Sequence, residues 1–228
     1  MLASVHIADV GRRRALALAA KGPSRITAPG LRHANLGLAA PLGGGLRPKP
    51  DLGRIALVAM WDDGDGLDRF LAQAPLARTL AAGWHVRLEP LRAHGSWPGL
   101  DTDLPGTRSP QSSGPVAVLT LGRMRFRRAV PFLRASAAAE ARVLDAPGLI
   151  WATGMARPPF VATCSLWHSG EAAAAYAYTA GDAHHDAIVA GRAQPFHHQE
   201  AFVRFHPVAS TGGLGGRNPL PESWPASV

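Results

Sequence analysis

Histidines supply the metal chemistry open to this chain, and four of them come in neighbouring pairs. His184 and His185 precede Asp186, and His197 and His198 lie just ahead of Glu200. Imidazole beside carboxylate suits a transition metal, and a mononuclear iron triad needs two histidines and one carboxylate converging on the ion. The first trio sits on a stretch of helical composition, where successive side chains diverge by about 100°, so the three cannot readily ligate together. The second trio falls just before a strand, and any metal it bound would be adventitious. Cys164 has no flanking base or charge to lower its thiol pKa and reads as a small buried residue. As the sole cysteine it forms no intramolecular disulfide, which fits a reducing compartment. There is no Gly-x-Ser-x-Gly elbow, no zinc-type pair of cysteines, and no glycine-rich turn between strand and helix, since GLGG at 213 to 216 lies in a loose tail. Hydrolase, zinc and Rossmann dinucleotide chemistry are therefore unsupported.

The elements that must position these side chains occur twice. VHIADVG (5 to 11) parallels VAVLTLG (116 to 122), and APGL at 28 recurs at 146. RIALVAMWDD (54 to 63) then parallels FVATCSLWHS (160 to 169), and HVRLEPL (85 to 91) parallels FVRFHPV (202 to 208). Four ordered matches indicate an internal duplication. Each unit opens on a short β-branched run and continues through a stretch rich in Ala, Leu and Arg that suits a helix. Two strands follow, then a second helix with an acidic or Ser N-cap, then a closing strand. Ile55, Leu57, Ala59 and Trp61 share one face of their strand. The order β-α-β-β-α-β is ferredoxin-like. The expected fold is α+β: tandem ferredoxin-like repeats at 1 to 94 and 115 to 208, packed as a pseudo-dimeric α+β barrel. Residues 95 to 114 read as a linker and 209 to 228 as a flexible tail. Each sheet leaves one apolar face uncovered, and the other repeat covers it.

Bulk composition agrees with a globular chain. Of 228 residues 46% are hydrophobic and 18% charged, and no run of about 18 apolar residues exists to form a spanning helix. The early patch ALALAA is too short for a signal-peptide core, so a cytoplasmic location is expected. The formal charge is +8, but the arginines are scattered. Their densest clusters, Arg12 to Arg14 and RMRFRR at 123 to 128, sit at expected helix starts. They read as solvated faces, with contact to an anionic membrane surface next and nucleic acid not expected.

The segment GLRPKPDLGRIALVAMWDD (45 to 63) resembles the spheroidene monooxygenase family of carotenoid biosynthesis, in which a glycine-containing loop leads to an apolar strand ending near Trp-x-Asp. GDAHHDAIVAGRAQPFHHQEAFVRFHPV (181 to 208) is similar to that family's histidine-bearing helix, connector and final strand. The resemblance covers most of residues 5 to 208. It implies membership of the dimeric α+β-barrel superfamily and an oxygenase acting on apolar acyclic isoprenoids or carotenoids, with haem as cofactor and an external electron donor as partner. Oxygen insertion at a C–H bond is beyond ordinary side chains and requires an oxygen-activating cofactor. Haem needs only one proximal histidine facing an apolar slot.

His184 begins the family-like His-x-x-Ala-Ile pattern and shares a helical face with Ile188. It is the first candidate for axial ligand to the metal, with His185 second. Arg192 is a candidate partner for a haem propionate, and Arg157 a weaker one. Trp61 and Trp167 read as packing residues. Two other readings stay open: a cofactor-independent monooxygenase of the antibiotic-biosynthesis type, and a non-catalytic barrel that binds an apolar ligand.

Overall fold

In a computed structural model the described residues are 1–23, 26–42, 51–105, 114–179 and 196–220. The first repeat contains β1 (Leu2–Asp9), α1 (Arg12–Lys21), β2 (Leu31–Ala40), β3 (Arg54–Trp61), α2 (Gly64–Gln73), α3 (Pro75–Leu80) and β4 (Trp84–Gly95). The second contains β5 (Val116–Met124), α4 (Ala129–Leu144), β6 (Leu149–Arg157), β7 (Phe160–Trp167), α5 (Gly170–Thr179) and β8 (His197–Gly212). Asp63 accepts from the Gly66 amide at 2.9 Å and starts α2, and Ser169 accepts from Ala172 at 3.1 Å to start α5. These are the expected caps. The expected single helix after Trp61 is broken, because Pro75 cannot donate within a continuous helix and instead opens α3 at its first turn.

The eight strands form one closed barrel in the order β1-β3-β2-β6-β7-β5-β8-β4. Each repeat contributes the ferredoxin-like order, with its fourth strand beside its first. Closure comes from hydrogen-bonded seams, so neither sheet keeps a free edge. β2 pairs with its counterpart β6 through Leu38↔Ala156, Ala39↔Met155 and Ala40↔Gly154. β4 pairs with its counterpart β8 along a ladder from Trp84↔Gly212 to Gly95↔Ala201. Counterparts meeting antiparallel at both seams place a pseudo-dyad across the barrel. At the short seam Gly37 matters: a Cβ there would stand 2.7 Å from the Ala156 carbonyl oxygen, so only glycine lets the strands close.

Register tests the sequence alignment of the repeats. Leu31 and Leu149 face Trp61 and Trp167, and a bulge follows both, so the APGL match holds. Ala3 faces Leu88 as Ala117 faces Phe205, which keeps the match of the last strands. The first strands are displaced: Leu2, not Val5, is the counterpart of Val116, since both face the tryptophan that ends the third strand. The shared glycine that suggested the other pairing caps α1 in the first repeat and lies inside β5 in the second.

Alternation divides the strand residues. Val5, Ile7, Val58, Val86, Leu88, Leu119, Leu121, Val203 and Phe205 point inward and fill the barrel. Ile55, Leu57, Ala59 and Trp61 point outward beneath α2 and α3, with Leu67 and Phe70 covering them. The described parts of the expected linker and tail, residues 95–105 and 209–220, hold more regular and buried structure than a linker and a tail would. β8 continues past 208 to Gly212, Trp97 is buried in the barrel, and Leu220 is buried there too. Among the described residues no helix is long and apolar enough to cross a membrane.

Candidate functional site

Among the described residues the outer faces of the two repeats are covered unequally. Under α1, α2 and α3 a sealed layer includes Trp61, Leu67, Phe70 and Leu80. Under α4 and α5 the fully buried set is Val116, Val143, Trp167 and Ala173. The cause is in the helices: AVPFLRASAAAEARVL and GEAAAAYAYT are dominated by alanine, whose methyl group cannot span the layer that Leu67 and Phe70 fill. Tyr176 partly compensates by stacking on Trp167 at 5.3 Å and donating to the Ala139 carbonyl at 3.1 Å. Among the described residues the layer between helix and sheet in the second repeat is thus mostly apolar and has fewer fully buried side chains than its counterpart.

His197 stands in that layer. It opens β8, where Arg125 Nε donates to its carbonyl oxygen at 3.1 Å. Its ring lies over Gly122, where an added Cβ would fall 2.6 Å from Cδ2 and 2.7 Å from Nε2. Phe132 of α4 meets the ring edge-on at 5.1 Å, and Phe196 meets Phe132 at 6.2 Å. Nδ1 contacts the Glu200 carboxylate at 2.9 Å. Nε2 is buried with no hydrogen-bond partner. A carboxylate on one ring nitrogen fixes the tautomer and the orientation of the ring. Arg128 lies 5.9 Å above the Phe196 ring, and its Nε likewise has no partner.

Of the trio read from the sequence, His197 and Glu200 come together and His198 points away into solvent. The trio belongs to β8 itself and does not precede the strand, and the alternation of a strand separates the neighbouring imidazoles. Among the described residues no three His, Cys, Asp or Glu side chains converge as a bare metal ion requires. One oriented imidazole with an orphaned nitrogen, its ring seated over a glycine and among aromatic neighbours, fits haem iron, which asks for a single protein ligand.

His184, His185 and Arg192 lie outside the described residues. Arg157 serves the fold: its Nε donates to the Ala19 carbonyl at the end of α1 at 2.6 Å. Cys164 is buried in the barrel interior, where desolvation pushes its thiol up to about 12, so it offers no thiolate. Trp61 and Trp167 pack under helices, as expected of structural residues.

Two other polar groupings are accounted for by the fold. His6 is buried beneath α2, its Nε2 2.9 Å from Ser4 Oγ, which also accepts from Trp61 Nε1 at 2.9 Å. An open cleft of about 490 Å³ by Met1 is lined by Asp62, Asp63, Glu89, Asp101 and Asp103. Three of these five carboxylates already have duties: Asp63 caps α2, and Asp62 and Asp101 both pair with Arg32, which holds Asp101 below the usual carboxylate range.

No family model matches the chain. It is similar to the spheroidene monooxygenase of Rhodobacter capsulatus, 29% identical over 192 residues, covering 78% of this chain and 76% of that one. It is also similar to the spheroidene monooxygenase of Cereibacter sphaeroides, 27% identical over 187 residues, covering 79% of this chain. There the chain spans 57% of the relative's length. The resemblance read from two short blocks is thus a similarity along most of the chain. Among solved structures, an aldoxime dehydratase aligns at a TM-score of 0.49 with 8% identity, over 90% of this chain and 79% of that one. A haem-degrading enzyme from Listeria monocytogenes aligns at 0.32 with 13% identity, over 88% and 98%. Alignments this loose bear on neither activity nor cofactor.

Proposed function

We propose that this chain is a monooxygenase of the spheroidene monooxygenase type, placing one oxygen atom of O2 into an apolar acyclic isoprenoid or carotenoid. The second oxygen atom leaves as water, and an external donor supplies the electron pair. The similarity to two spheroidene monooxygenases over about four-fifths of the chain carries this reading. Haem bound on the outer face of the second repeat would supply the oxygen activation that side chains cannot. His197 would hold the iron through Nε2, with Glu200 keeping the proton on Nδ1 and the ring in place. Arg128, whose Nε lacks a protein partner, suits a propionate. Phe132 and Phe196 exclude water and provide the apolar wall that a polyene requires.

His184 and His185 remain rival axial ligands, with Arg192 as a rival propionate partner, and one experiment separates the three histidines. The purified chain is reconstituted with haemin, and the Soret band is recorded for the native chain and for His197→Ala, His184→Ala and His185→Ala. His197→Ala is expected to weaken or shift the band, and Glu200→Gln to lower the iron–histidine stretching frequency in resonance Raman. A band unchanged by His197→Ala but lost with His184→Ala moves the ligand to His184. Turnover of an isoprenoid without haem would instead establish the cofactor-independent reading, and ligand binding without turnover the non-catalytic one.

A further inference from the structure

The two mouths of the barrel are built from equivalent residues and finished differently. Each last strand ends on a glycine with positive φ, Gly95 at 84° and Gly212 at 77°. The next amide donates across to the other repeat, Ser96 to the Glu200 carbonyl and Gly213 to the Gly83 carbonyl. The chain then folds over the barrel, and Trp97 and Leu214, equivalent in register, pack against its interior.

Near Leu214 the closure is apolar or internally satisfied, except for Arg54 Nε, which is buried without a hydrogen-bond partner and lies 3.7 Å from the Asp51 carboxylate. Trp151 packs edge-on against Trp84 at 5.2 Å, Thr153 donates to the Ala40 carbonyl at 3.2 Å, and Asp9 pairs with Arg54 at 2.7 Å. Near Trp97 the equivalent positions hold His33 for Trp151, Asn35 for Thr153, Arg123 for Asp9 and Phe160 for Arg54. These residues form one connected group. His33 meets Trp97 at 6.4 Å and Trp97 meets Phe160 at 5.9 Å. The Arg123 guanidinium lies 5.4 Å over the Trp97 ring, and Asn35 hydrogen-bonds the His33 ring.

Three buried polar atoms in this group have no protein partner: His33 Nε2, Asn35 Nδ2 and Trp97 Nε1. Asn35 is 7% and Trp97 3% exposed. An unsatisfied buried donor costs about 1–3 kcal/mol, and native proteins rarely leave several together. The architecture does not demand this polarity, because at the opposite mouth the one unpartnered buried atom, Arg54 Nε, belongs to a guanidinium already paired with Asp9 and Asp51. The character of the group is that of donors beside a positive charge: an indole N–H can only donate, as can an amide NH2 whose oxygen faces His33. Arg123 stands across the strand pair from Phe160 where its counterpart has a salt bridge. The nearby carboxylates Asp62 and Asp101 are committed to Arg32.

We infer that the Trp97 mouth of the barrel is a binding site for a small oxyanion, a carboxylate or an inorganic oxyanion. Asn35 Nδ2 and Trp97 Nε1 donate to it, and Arg123 supplies the countercharge. The ligand enters by displacement of the Ser96–Asp101 strap, which Asp101 pins to Arg32 and, at 3.6 Å, to the amino group of Met1.

The test uses the full chain labelled with ¹⁵N, reading the indole N–H resonances, with Trp97→Phe assigning the signal of Trp97. Sodium acetate and sodium phosphate are titrated separately against sodium chloride at matched ionic strength. The Trp97 resonance is expected to move saturably, and the anion that saturates at lower concentration identifies the source as carboxylate or inorganic. Arg123→Gln, at a half-exposed position, is expected to weaken that anion by about tenfold or more. Asn35→Asp replaces a donor by a like charge and should abolish the response, with circular dichroism confirming a folded chain. A Trp97 resonance unmoved by both anions, or an Arg123→Gln titration matching the native one, would overturn the site and leave a buried water only.

Discussion

His6 and His197 are both imidazoles on the outer face of the same barrel, and their second partners give them opposite duties. His6 spends Nε2 on Ser4, stacks on His85 at 5.2 Å and lies under Phe70. Burial first, then the charges of His85 and Arg87, lower its pKa to about 3. The folded chain therefore keeps His6 neutral where the unfolded chain, with its ordinary value of 6.5, already binds a proton. Stability must fall as pH drops from about 6.5 toward 3, by up to about 1.4 kcal/mol per pH unit for this residue. His33 and His85, also lowered chiefly by burial, add in the same direction. The urea midpoint of the native chain should decline between pH 7 and pH 4, and His6→Gln should flatten that decline; equal slopes would contradict the assignment. Little of this was legible in the sequence. His197 and Glu200 stand close in the chain and could be named as a pair, but their roles depend on Gly122 and Phe132, which come from other elements. His33 and Trp97 are 64 positions apart, and nothing local in either segment marks the contact.

At the scale of elements, the turn from β5 into α4 is the most unusual surface. Phe126 is 68% and Val130 59% exposed, one helical turn apart. Arg127 and Arg134 are exposed and Arg125 and Arg128 half-buried around them, with no carboxylate between Arg123 and Arg134. Arg128 also roofs Phe196, so this surface adjoins the layer that holds His197. An apolar tip ringed by arginines suits contact with an anionic membrane surface, the second reading of the arginine clusters in the sequence, and a lipid-dissolved substrate under the proposed function would call for such contact. Burying one Phe side chain is worth about 1.5–3 kcal/mol, so Phe126→Ser should reduce co-sedimentation with phosphatidylglycerol vesicles by about tenfold or more. Added salt should weaken the same binding, and neutral phosphatidylcholine vesicles should bind less. Equal binding by the variant would remove the contact. Helix starts were readable because a cap is a local device, as Asp63 and Ser169 show. The break at Pro75 was readable in principle from the proline itself. The three-residue displacement of β1 was not, because both alignments match apolar to apolar and only pairing with β3 decides between them.

At the scale of the molecule, duplication was legible because it repeats blocks, and the repeated Trp61 and Trp167 reflect a shared position under helices. What repetition could not reveal is how two copies meet. An apolar face on each sheet requires a cover, yet stacked sheets and a closed ring bury the same side chains, and the difference lies in backbone hydrogen bonds at the margins. Those margins are unequal: the β4–β8 join extends from Trp84↔Gly212 to Gly95↔Ala201, whereas β2 and β6 share only Leu38↔Ala156 to Ala40↔Gly154. A ring fastened firmly on one side and lightly on the other has a preferred place to part, and parting there would bare the interior without unfolding either repeat. In native-state hydrogen exchange the amides of residues 38 to 40 and 154 to 156 should therefore trade their protons for deuterons earlier than those of residues 84 to 88, which any leakage of solvent must reach last.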